Sequence, residues 1–198
     1  VATAASDRWA ELEPKLLDVS NRGRRGLRVQ LRELPTNPMR PRSEYEQNVV
    51  RLRQRGLTHP YEIIGMLTPG EDSDVQSDFP RGEFQEYDLD DDRQLVPVDR
   101  PAGSNTANII VGLLTSFTSK YPEGMTRVAL FGDPSRGMGA LAEAECRRIM
   151  AGIDLAEEMK VPLEWYAVSA GAKISMESGT ENMDWIADVL RRIVEFTQ

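Results

Sequence analysis

Apolar positions along this chain fall into two kinds of run. In the stretch after Ser43, Tyr45, Val49, Val50 and Leu52 recur at helical spacing up to Gly56, with Ser43 as a cap and Glu46 three residues on. A longer helix is expected over Glu143–Met159, where Cys146, Ile149, Met150, Ile153, Ala156 and Met159 recur at steps of three and four. A last one should follow Ser178 and Glu181, which have capping-box spacing, with Ile186, Val189, Leu190, Ile193 and Val194 on one side. Short apolar runs bounded by turn residues, Ala107–Thr115, Arg127–Gly132 and Leu163–Ser169, read as buried strands. Phe84–Leu89 alternates as a further short strand before an acidic turn at Asp90–Asp92, and Tyr121-Pro122-Glu123-Gly124 turns the chain between two of the strands. His59–Leu67 is ambiguous between helix and strand. Pro14, Pro35, Pro38 and Pro41 leave room only for a short helix at Trp9–Val19 and a short strand at Leu27–Leu31, so residues 1–44 read as a linker or lead-in and 45–198 as the organised domain. Strand, strand, helix, strand, helix with glycine turns after the second and third strands is layered α/β architecture.

Composition narrows the class. The 198 residues suffice for one domain with a core, and no apolar run is long enough for a membrane span or a signal peptide. A single cysteine, Cys146, rules out an internal disulfide and fits a reducing cytoplasm. The net charge of −8 hides an arginine-rich block over 22–55 and an acidic block over 71–99, read first as two solvated faces. Residues 22–55 hold Tyr45 as their sole aromatic, which argues against nucleic-acid readout.

Catalytic side chains are scarce. His59 is the only histidine, so a triad or a histidine-rich metal site has little to stand on, and the run Asp88–Asp92 lacks the glycine and distal glutamate of a calcium loop and reads as a solvated turn. What remains is two turns, Gly132–Gly139 and Ser169–Ile174, each between a strand and a helix. Neither fits a dinucleotide fingerprint or a P-loop. They offer backbone N–H groups at strand ends, the arrangement that stabilises an oxyanion, or else they are two structural turns.

The run Arg100–Ile174 resembles the carboxyltransferase domain of biotin-dependent acyl-CoA carboxylases. Arg100-Pro101-Ala102-Gly103-Ser104-Asn105-Thr106 is similar to that family's R-x-P-G-S-N-T, and Tyr121–Gly124 to its Y-P-x-G turn. Gly132-Asp133 through Gly139-Ala140 stands where the family has N-D-x-T and G-S-F-G, and Ala170-Gly171-Ala172-Lys173-Ile174 where it has S-G-A-R-I. The tail Ser169–Gln198 looks closest to large fused bacterial acyl-CoA carboxylases. Lys173 replaces the family's arginine and Ala170 its serine, and a lysine does not reproduce a bidentate arginine contact.

The resemblance implies a crotonase-like (ClpP/crotonase) superhelical fold of ββα units, here the N-terminal half of a carboxyltransferase, truncated on its C-terminal side. It implies transfer of a carboxyl group from carboxybiotin to the α-carbon of an acetyl- or propionyl-CoA through an enolate. The amides of Gly132 and Ile174 would hold the oxyanion, Gly171 and Ala172 would shape the turn, and Asn105, Asp133, Ala170 and Lys173 would contact substrate. A side chain at Gly171 is expected to push into that pocket. Biotin would arrive on a carrier domain, and ATP would be used only in a separate biotin carboxylase domain. The expected partners are those domains, acyl-CoA and a second subunit, with no nucleic acid, membrane or metal. The fragment alone should be inactive and should expose apolar surface where its missing half would pack. Alternatives are a biotin-dependent decarboxylase subunit and a non-catalytic anion-binding module.

Overall fold

A computed structural model describes residues 15–20, 28–33, 41–70, 79–176 and 179–198. The chain divides into two compact units, Val1–Pro41 and Arg42–Gln198.

Within the first unit, β1 (Lys15–Ser20) and β2 (Arg28–Glu33) form an antiparallel hairpin. The strand expected at Leu27–Leu31 is therefore present, and the helix expected over Trp9–Val19 is not: Lys15–Val19 is extended, and residues 9–14 lie outside the described ones. Pairing decides it, since Leu17 faces Leu31 and Val19 faces Val29 across the ladder, and cross-strand aliphatic pairs outweigh weak local helix propensity.

The second unit is mixed α/β. Its first helix, α1 (Glu44–Gln54), starts at a complete capping box: Glu46 N donates to Ser43 Oγ at 3.2 Å and Ser43 N to Glu46 Oε2 at 2.7 Å. The ambiguous segment is helical as α2 (Pro60–Leu67), with proline at the first helical position, where its missing N–H costs nothing. A five-stranded sheet follows in the order β4-β3-β5-β6-β7, from β3 (Gly82–Leu89), β4 (Leu95–Pro97), β5 (Ile109–Ser116), β6 (Met125–Gly132) and β7 (Leu163–Tyr166). All neighbours are antiparallel except β6 and β7, which α3 (Glu143–Met159) connects as a parallel pair. The short edge strand β4 has no counterpart in the sequence reading, because three residues carry no period.

Strand alternation splits the core between the two sheet faces. Ile109, Val111, Val128 and Leu130 meet Cys146, Ile149, Ile153 and Ala156 of α3, and Val189 of α4 (Glu181–Phe196). Ile110, Leu114, Ala129 and Phe131 meet Ile64 and Leu67 of α2. Burial on the sheet-facing side of its own helix, α3, pushes the Cys146 thiol up to about 11, so it stays an unreactive thiol.

The capping box expected at Ser178 falls outside the described residues; the helix begins at Glu181, whose carboxylate accepts from Gly179 N at 2.9 Å. The acidic run is not one solvated turn. Asp90–Asp92 are exposed, but Glu86 and Asp88 are buried and held by Arg100. Arg100 Nη1 donates to Asp88 Oδ2 at 2.6 Å and its Nε to Glu86 Oε1 at 2.9 Å, while Arg148 Nε reaches Asp88 Oδ1 at 2.7 Å. Burial pushes the Asp88 carboxyl up, but the bonds and charges of these two guanidinium groups win and hold it below the usual carboxylate range. Arg100, the first residue of the resembling stretch, is thus engaged by strand β3.

Candidate functional site

The sheet brings the two glycine turns together, and backbone contact holds them there. Gly132 ends β6 opposite Ile109, and a Cβ on it would stand 2.6 Å from Val168 O. Gly139 has φ +72°, and a Cβ there would meet the same carbonyl at 2.3 Å. Only glycine lets both strands of backbone pass this closely. Ser169 Oγ donates to Gly139 O at 2.7 Å and in turn accepts from Gly171 N at 3.0 Å. A parallel bridge joins Leu141 to Ala172: Leu141 N donates to Gly171 O at 2.8 Å, and Lys173 N to Leu141 O at 2.7 Å.

That bridge fixes which amides face the loop and which do not. In an extended segment alternate N–H groups point to opposite sides. The amide of Lys173 is used by Leu141, while those of Ala172 and Ile174 have no hydrogen-bond partner among the described residues. Ile174 is 88% exposed.

A cleft of about 510 Å³ opens where the turns meet, lined by Lys173 and Ile174 from the second turn, Arg136, Gly137 and Ala140 from the first, and Thr106 and Asn108 from the segment before β5. Its frame is a set of buried polar contacts. Asn108 Nδ2 donates to Ala140 O at 2.6 Å, and Glu145, in the first turn of α3, accepts from Asn108 N at 3.3 Å and from Ala142 N at 3.0 Å. The Oδ1 of Asn108 is buried and unpartnered among the described residues. A neighbouring cleft of about 560 Å³ shares Lys173 and adds Arg93, Arg147 and Trp185, with the Arg147 guanidinium 4.6 Å above the Trp185 ring. Lys173 thus stands between the two hollows, with no ion-pair partner among the described residues.

Of the residues expected from sequence, Lys173 and Ile174 line the first cleft. Asn105 and Asp133 are fully buried and bond each other, Asn105 Nδ2 to Asp133 Oδ2 at 2.8 Å, while Asp133 Oδ1 accepts from Ser135 N at 2.9 Å and Ser135 Oγ at 2.6 Å. Both shape the first turn. Ala170 lines a separate hollow of about 280 Å³ with Arg55, Leu57 and Met138. At Gly171 a Cβ would meet nothing within 4 Å, and the position calls for glycine through its φ of +86°. Asn108, Glu145 and Arg136 were not singled out by sequence. The one available signal was Glu145 at the third position of a helix, where a carboxylate reaches back to the first free amide.

No helix among the described residues is long and apolar enough to cross a membrane. Among the described residues no three His, Cys, Asp or Glu side chains gather where they could hold a metal ion.

No family model matches the chain. Over 82 residues, 41% of its length, it is 29% identical to acetyl-CoA carboxylase 2 of Arabidopsis thaliana. Over 82 residues it is 32% identical to acetyl-CoA carboxylase 2 of Oryza sativa subsp. japonica. The matched stretch covers 4% of each of those proteins. The chain therefore carries a region related in sequence to acetyl-CoA carboxylase.

Proposed function

We propose that the cleft between the two glycine turns is the acyl-thioester half of a carboxyltransferase site in a biotin-dependent acyl-CoA carboxylase. The observation that carries this reading is the pair of unbonded amides, Ala172 and Ile174, on a turn whose intervening amide is locked to Leu141. The similarity to acetyl-CoA carboxylase supports it, as does the succession β5–β6–α3, the strand–strand–helix order that a crotonase-like unit would have.

The cleft's volume lies in the ordinary range for small-molecule sites, and its cations, Lys173 and Arg136, suit an anionic ligand. Carboxybiotin on its carrier would supply the carboxyl group and a ureido nitrogen that takes the α-proton. The chain's own part is electrostatic. An amide held rigidly at Ile174 donates to the thioester oxygen more strongly as negative charge gathers there, and because the Lys173–Leu141 bond fixes it beforehand, little reorganisation is needed. Lys173 contributes a compact positive charge for the carboxylate or for the phosphates of CoA. The carrier and carboxylase domains, and the acyl chain accepted, belong to the same proposal.

The test is binding, not turnover, because the chain matches so small a part of its relatives. Acetyl-CoA titrated into ¹⁵N-labelled protein is expected to shift the Ala172, Lys173 and Ile174 amide signals. Ile174→Pro, which deletes one amide, should weaken that binding by about tenfold, while Ile174→Ala should leave it unchanged. Signals that stay fixed at saturating ligand, or two variants that bind alike, overturn the reading.

A further inference from the structure

The hollow beside Ala170 shares no lining residue with the cleft between the turns, and its chemistry is different. It measures about 280 Å³, and its walls are the apolar side chains of Leu57, Pro134, Met138 and Val168. One charge stands on it, the guanidinium of Arg55 just past the end of α1, and no acidic side chain lines it. Arg51 bonds Asn48 and Arg53 pairs with Glu62, whereas the Arg55 side chain has no hydrogen bond or ion pair among the described residues. Ser169 and Ala170 complete the lining, and neither backbone N–H has a hydrogen-bond partner among the described residues.

Met138 supplies an independent observation. It lies between Gly137 and Gly139 in a run of three residues with φ of +51°, +56° and +72°. Glycine suits such a left-handed backbone, and a methionine held there is strained. Its side chain is 68% exposed, so packing in the core does not offset that strain. What the side chain does is line the hollow, where a flexible thioether makes an adaptable apolar wall.

We propose that this hollow binds a short aliphatic acid of about four to eight carbons, its carboxylate on Arg55 and the amides of Ser169 and Ala170, its tail against Leu57, Met138 and Val168. A planar guanidinium matches a carboxylate with two parallel bonds, and a single cation without competing acids suits a singly charged head group. Four apolar walls then call for a tail and not for a bare anion. The volume lies below the usual range for drug-sized ligands, which leaves no room for a nucleotide or a whole CoA thioester. This inference does not rest on the proposed function.

Hexanoate titrated into the 198-residue chain carrying ¹³C-methyl methionine should shift the Met138 signal among its eight methionines, with half-saturation at about 1 mM. In ¹⁵N-labelled protein the Ser169 and Ala170 amides should move with it. Arg55→Gln should weaken hexanoate by about tenfold and leave the weaker binding of hexanol, which has the tail without the charge, unchanged. Met138→Gly should weaken both ligands by about three- to tenfold, since it removes a wall. Arg55 is exposed and glycine relieves the strain at 138, so both variants should fold, which thermal melts check. Inorganic phosphate should leave the Met138 signal in place. A Met138 signal that stays fixed at about 10 mM hexanoate, hexanoate binding that survives Arg55→Gln, phosphate bound as well as hexanoate, or shifts confined to Lys173 and Ile174 overturns the proposal.

Discussion

The side-chain amide of Asn108 donates to the carbonyl of Ala140 at 2.6 Å, tying the entrance of β5 to the far end of the first glycine turn. Through Leu141 that tie reaches Gly171 and Lys173, so one asparagine sets the spacing of both walls of the cleft.

Replacing Asn108 by alanine should therefore loosen the cleft before it unfolds the sheet. The loss of a buried bond should lower stability by about 1–3 kcal/mol in urea denaturation. Hydrogen exchange should quicken at the amides of Leu141 and Lys173 and stay slow at Val128 and Leu130. Uniform quickening across the sheet would show that Asn108 does not hold the turns in particular.

Gly171 and Gly139, both at positive φ, should respond differently to alanine. At Gly171 space is open, so alanine meets only backbone strain of about 1 kcal/mol, and asparagine, which tolerates the left-handed region, costs less. At Gly139 the added carbon also strikes Val168 O, and alanine should cost about 2–4 kcal/mol, with loss of the Ser169 contact. Equal destabilisation of the two variants in thermal melts would contradict this account of the turns.

Mild acid should destabilise the fold through His59. This side chain is buried at the start of α2, its ring 5.9 Å from Tyr61 and 4.9 Å from Tyr45. Burial lowers its pKa, against the opposing pull of Asp133 and Glu62. The unfolded chain then takes a proton below about pH 6.5 that the folded chain refuses until lower pH. Stability is full above that value and falls as pH drops towards the folded pKa, by at most about 1.4 kcal/mol per pH unit. Urea melts at about pH 7.5, 6 and 5 should show the decline in the native chain and not in His59→Gln. Parallel declines would place the titrating group elsewhere.

What sequence alone revealed depended on how local the cause was. Strands β5 and β6 and helix α3 were readable because an unbroken apolar run or a regular three-and-four spacing survives any packing. Lys15–Ser20 was misread because its extended form comes from Arg28–Glu33, which a short window does not see. The same holds for the site. Lys173 and Ile174 stood out as part of a small-residue turn, whereas Asn108 and Glu145 matter only after β5 and α3 have been brought side by side. Glu86 and Asp88 looked like surface acids because their partners Arg100 and Arg148 are remote in sequence.

The bridge between Leu141 and Ala172 spans the whole of α3 and β7. A contact across so long a loop gains nothing until the connecting elements are in place, because closing the loop costs entropy that local contacts do not return. The cleft is thus among the last features to arise as the protein folds. A nascent chain that has emerged only as far as Lys160 can lay down β5, β6 and most of α3 and still have no second wall. Any ligand that favours the finished cleft then stabilises the ends of a nearly completed structure and has little leverage on how fast its sheet is nucleated.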